Sequence, residues 1–99
     1  MQSIKENNEQ VHRLAGKAWD KFYEQAAGAD NLNDKSIAAL MGVSRQTVKN
    51  WTTRHSQPCM GTVMRIKMVA HALDKARNDG LLPATTRNKQ DELVKEILK

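Results

Sequence analysis

The chain's apolar pattern predicts an all-α fold, a compact bundle of about five helices, and two observations carry that expectation. Apolar residues recur at three- and four-residue intervals along most of the sequence, and no stretch alternates with the period of two that a strand requires. The periodic stretches are separated by short breaks rich in Gly, Asn, Ser and Pro. With 99 residues and no internal repeat or low-complexity tract, residues 1–99 read as a single domain. A domain of this size buries somewhat under ~68% of its unfolded surface, enough for a modest core without disulfide staples.

The first helix is expected from about residue 4 or 8 to Ala27, where Gly28 stops it. Ile4, Val11, Leu14, Ala15, Ala18, Trp19, Phe22 and Ala26 form its apolar stripe, while residues 5–10 are polar on all sides. Trp19, Phe22 and Tyr23 are the natural core anchors. Asn31 to Asp34 is turn chemistry, with Asn33 or Asp34 capping a short second helix. Gly42 ends that helix, because glycine takes the positive φ of a helix stop at no steric cost. Ser44 then caps a third helix, from Arg45 to about His55, and Ser56, Gln57 and Pro58 break the pattern. The stripe resumes at Met60 with Val63, Ile66, Val69, Ala70 and Leu73, giving a fourth helix that ends before Gly80. Met60, Met64 and Met68 flank it, either filling core or forming a pliable surface for a second subunit. After the connector Leu81, Leu82 and Pro83, a last helix starts at Thr86 or Asn88 within residues 84–99. Its Leu93, Val94, Ile97 and Leu98 either fold back on the domain or act as a dimerisation element.

Residues 34–54 are the most informative stretch. Ala38, Gly42, Val43, Val48 and Trp51 fall where two short helices can pack across one tight turn. Ala38 is small where the backbones approach, and Val48 and Trp51 turn inward one helical turn apart. That arrangement is a helix-turn-helix. From its second helix Arg45, Gln46, Lys49, Asn50 and Thr53 point outward, and no acid accompanies them. Arginine can bond a guanine edge in two places and glutamine an adenine edge, so these side chains suit duplex DNA. Arg45 and Gln46, just after the Ser44 cap, would reach deepest into a major groove. Thr47 offers a methyl to thymine or a hydroxyl to phosphate, while Lys49, Asn50 and Thr53 lie nearer the backbone. Arg54 and Lys35 are placed for phosphate.

Charge supports the same reading independently. From Lys35 to Leu73 there are six Lys or Arg and no Asp or Glu, whereas acids and bases are mixed on either side. The net charge of +5 is therefore concentrated on the motif and the helix after it. Positive charge gathered in one block suits a polyanion, whose neutralised phosphates release condensed counterions.

Other classes find little support. One cysteine rules out an internal disulfide and fits a reducing compartment. Neither an apolar run of ~18 residues nor a signal-peptide core is visible, so a cytoplasmic, nucleoid-associated protein is expected. His12, His55, His71 and Cys59 have no spacing that closes a metal site, and no cofactor or small-molecule ligand is evident. With no carboxylate pair, activated nucleophile or glycine-rich phosphate cradle, an enzyme is not expected.

The motif resembles the helix-turn-helix of the lambda repressor and Cro type, found in many small phage and plasmid regulators. Ala38, Gly42, Val48 and Trp51 match that family's small, turn, apolar and aromatic or aliphatic positions, and Arg65 to Asp74 is similar to its next helix. The likeness covers about residues 33 to 74. Three departures mark a divergent member. Asp34 stands where the family often has Gln, the stretch from Pro58 to Ala70 is longer, and the first helix exceeds what the small fold needs. The resemblance implies a compact lambda-repressor-like domain and a transcriptional regulator, repressor-like, acting on an operator with dyad symmetry. A homodimer would place two reading helices one turn of duplex apart, about 34 Å. Two other readings remain open: a DNA-binding accessory or architectural factor, excisionase- or packaging-like, and a protein-interaction module of antitoxin type.

Overall fold

The structure is a computed structural model that describes the backbone of residues 4–99 and the side chains of residues 14–99. It is all-α, with no strand among the described residues. Among the described residues five α-helices follow one another: α1 (Ile4–Tyr23), α2 (Asp34–Met41), α3 (Arg45–Thr53), α4 (Met60–Asn78) and α5 (Arg87–Ile97). A π-helical turn, Glu24–Ala29, extends α1. No helix among the described residues is long and apolar enough to cross a membrane.

The middle of the bundle is α2, which packs against α3, α4 and α5, while α1 lies across α3 and α4. One core joins all five helices: Trp19 and Phe22 from α1, Ile37 and Leu40 from α2, Val48 and Trp51 from α3, Ile66, Val69 and Leu73 from α4, and Leu93 from α5. Trp19 is fully buried and meets Trp51 edge-on, ring centroids 5.1 Å apart. Each such large apolar side chain contributes about 1.5–3 kcal/mol by leaving water. The C-terminal helix folds back on its own domain, with Leu93 buried and Val94 and Ile97 packed against the core.

Several expectations change. Gly28 does not stop the first helix. It lies inside the π turn, and the chain leaves helical geometry only at Asn31, where φ is 58°. The wider turn carries Asp30 inward, where it is 1% exposed and paired with Arg77. Leu14, expected in the stripe, stands off the buried line Ala15, Trp19, Phe22, Ala26 and is exposed. Met60, Met64 and Met68 are exposed too, because the inward face of α4 is already filled by Ile66, Val69, Leu73 and Ala76. Leu98 follows the last inward residue of α5 and stays half in solvent. The placements expected for the Ile4 and Val11 side chains, and that of His12, lie outside the described residues.

Backbone hydrogen bonds explain why α2 and α3 stop and start where they do. Asn33 caps α2, its side chain accepting from the Ser36 N–H at 2.8 Å. Gly42 ends α2 in the left-handed region at φ 71°, with Gly42 N–H donating to Ala39 O and Val43 N–H to Ala38 O at 3.0 Å. This paired closure consumes two orphan carbonyls. A third, Leu40 O, accepts two bonds from the Arg65 guanidinium at 2.8 and 3.0 Å. The arrangement stitches α4 to the end of α2 just before the turn.

Candidate nucleic-acid interface

The turn between α2 and α3 spans only Gly42, Val43 and Ser44, so the start of α3 is held by both its neighbours. Ser44 caps α3, its hydroxyl accepting from the Thr47 N–H at 3.1 Å and meeting Thr47 Oγ1 at 2.9 Å. Behind the helix Val48 and Trp51 are buried; they fix its rotation so that the opposite face is outward. Since α3 packs only on α1 and α2 among the described elements, that outer face is open along its length.

Arg45, Gln46 and Lys49 are exposed there and Asn50 is half-buried. Gln46 donates through Nε2 to Asn50 Oδ1 at 3.0 Å, one helical turn on, so two amides form an ordered pair. Neither Arg45 nor Lys49 has an ion-pair partner among the described residues. Lys35 is exposed in the first turn of α2. Five of the expected contact residues thus share the open side of the motif or its entrance: Arg45, Gln46, Lys49, Asn50 and Lys35. Ser44 and Thr47 are engaged in the cap, and Thr53 turns back to its own helix, donating to Lys49 O at 2.8 Å.

Arg54 departs from the expectation. It occupies the left-handed region at φ 68° where α3 ends, two residues before the expected stop. Its guanidinium reaches α1, forming an ion pair with Asp20 and a long hydrogen bond to Gly16 O at 3.4 Å. A Cβ at position 16 would lie 3.0 Å from Arg54 Nη1, so glycine makes room for the guanidinium. A charge already matched by a carboxylate is poorly placed to grip phosphate. Its geometric effect is to tie the far end of α3 to α1.

No family model, curated protein or solved structure matches the chain, so the site is read from its own geometry.

The residues that hold the interface in place are largely ones the periodicity does not single out. Gln90, buried on α5, accepts at Oε1 from Asn33 N–H at 3.0 Å and from Ser36 Oγ at 2.9 Å, and donates through Nε2 to Asn31 O at 3.1 Å. One side chain thus organises the entry to α2. Its spacing to Leu93, Val94 and Ile97 (i, i+3, i+4, i+7) is the signal that places it inward. Arg77 bonds both Asp30 oxygens at 2.9 Å and Asp74 at 2.7 Å. These contacts, that to Asp74 first, raise the guanidinium's already high pKa. A second tie joins Tyr23 at the end of α1 to Asp34 at 2.7 Å. That bond, then partial burial, raises the phenol's pKa.

Proposed function

We propose that this chain is a sequence-specific duplex-DNA-binding regulator that inserts the N-terminal end of α3 into the major groove. One observation carries the reading. Of the arginines from the motif to the end of α4, Arg54, Arg65 and Arg77 are engaged by the fold, whereas Arg45 is exposed at the start of α3. It stands one turn from exposed Lys49 and beside the Gln46–Asn50 pair, on a face without a carboxylate. A bidentate arginine on guanine and an amide on adenine are each worth about 1–3 kcal/mol of discrimination. Lys49 and Lys35 supply phosphate contacts that position without specifying. One reading helix spans too little sequence for a unique site, so a homodimer on a palindromic operator is part of the proposal.

Selection of bound duplexes from a random pool, followed by sequencing, tests it. A dyad motif with half-sites one helical turn apart is the expected result. Enrichment of bent or phased sequences without a dyad would favour an architectural role, and no enrichment at low salt would end the DNA-binding reading.

A further inference from the structure

A second surface lies on α4, away from the reading helix: α4 packs on α1, α2 and α5 and makes no contact with α3 among the described elements. Met60, Met64 and Met68 are 49%, 62% and 64% exposed, large values for side chains that gain by leaving water. They follow one another at i, i+4 and i+8, and the same row winds inward through half-buried Ala72 to buried Ala76. Those alanines line a groove of about 720 Å³ between α4 and α5, whose floor includes Leu93 and Ile97. A row of i±4 side chains is the ridge by which one helix packs into another. Beside it runs a parallel row, Lys67, His71 and Lys75, at the same spacing and also exposed. The nearest carboxylate on this helix, Asp74, is engaged by Arg77. The groove itself is lined by Lys75 and Lys89 together with Asp79, Glu92 and Glu96, so the excess of positive charge lies outside it, on α4 at Lys67 beside the methionines.

We propose that this face docks an amphipathic helix of a partner protein, apolar along one stripe and acidic along the row beside it. Charge complementarity selects that occupant. A second copy pairing its α4 antiparallel on this face about a twofold axis would set the Lys67 and Lys75 row against itself. An anionic membrane surface is poorly served, because the face offers methionine without Trp or Phe and fewer than the ~4–8 clustered bases that such binding uses. Phosphates would leave the methionine row without an apolar partner. Unbranched and polarizable, methionine adapts to side chains of varied shape. The inference is independent of what α3 binds.

The probe is a labelled synthetic helical peptide with leucines at i, i+4 and i+8 and glutamates on the adjacent row. Its controls are the same peptide with lysines for the glutamates and an equally acidic scrambled peptide. The glutamate peptide is expected to bind the full chain saturably, and both controls about tenfold more weakly or less. Met64→Asp should cost at least about tenfold in peptide affinity, the order of one buried apolar side chain, while helicity and duplex binding stay unchanged. Lys67→Glu combined with Lys75→Glu should shift preference to the lysine peptide. Equal binding of all three peptides, or indifference to Met64→Asp, would overturn the proposal. So would dissociation of a dimer by Met64→Asp in sedimentation, or tight binding to phosphatidylserine vesicles lost in the same variant, since either names another occupant.

Discussion

At the scale of single residues, the surface bases divide between those the fold uses and those it leaves open. Arg45→Ala is expected to relax base preference at one position of each half-site and to lose about 1–3 kcal/mol of specific affinity, read by binding to operator and single-base variants. Lys49→Ala should weaken all duplexes alike and reduce the slope of log affinity against log salt by about 1. Arg54→Ala should leave that slope nearly unchanged, because Asp20 already matches its charge. A drop as large as that of Lys49→Ala would return Arg54 to the phosphate contacts. The Asp20–Arg54 pair is half-exposed, so a double-mutant cycle should give a coupling of about 0.2–1 kcal/mol. In a Gly16→Ala background the coupling should fall, since a Cβ 3.0 Å from Arg54 Nη1 makes the guanidinium give way by a few tenths of an ångström. Arg45 and Lys49 were legible in the sequence because helical phase alone puts them opposite Val48 and Trp51. Arg54 was not, because its direction depends on a left-handed residue at the helix end and on a carboxylate 34 positions earlier.

At the scale of elements, the motif is set by its ends more than by its apolar stripes. Gly42 and Ser44 announced the turn, since one supplies positive φ and the other a capping oxygen, and both do so here. Gly28 invited the same inference and failed. A π turn absorbs it, as burial of Asp30 against Arg77 draws the chain past the expected stop. Gln90 shows how an element far away in sequence positions α2. Gln90→Ala removes partners from Asn33 N–H, Ser36 Oγ and Asn31 O together, and should cost about 2–3 kcal/mol in denaturant melts. The Tyr23–Asp34 bond that joins the end of α1 to the start of α2 has a consequence in pH. Folding holds the phenol above its ordinary value near 10, first through that bond and then through burial and the Asp34 charge. The unfolded chain therefore releases this proton first as pH rises, and stability contributed by the group is present below about 10 and lost above it. Asp34→Asn should lower the phenol's titration midpoint, read by ultraviolet absorbance.

At the scale of the whole molecule, the question is why a short helix-turn-helix is carried on a 99-residue chain. The acid-free block from Lys35 to Leu73 was visible in composition, but not how its charges are spent, and Arg65 turns out to satisfy the Leu40 carbonyl inside the bundle. Nor could periodicity decide whether the C-terminal stripe folds back or seeks another chain. Polar contacts hold it against its own domain: Ala84 N–H donates to Asp30 O at 3.1 Å, Asn31 Nδ2 donates to Ala84 O at 3.0 Å, and Gln90 spans Asn31 to Ser36. The segment after Gly80 is thus joined to the loop that launches α2, and Leu82, Ala84 and Leu93 complete the core around it. Ending the chain at Gly80 would expose that core and strip hydrogen bonds from Asn31, Asn33 and Ser36 at once. Such a truncated chain, containing the entire motif, is expected to lose cooperative thermal unfolding and, with it, any selective duplex binding. A truncated chain that melts cooperatively near the full chain's midpoint would mean that α1 to α4 form the folding unit and α5 is an appendage. Retention of the fold with loss of duplex binding alone would instead place α5 at the DNA or at a second subunit, contrary to the inward-facing contacts of Gln90 and Leu93.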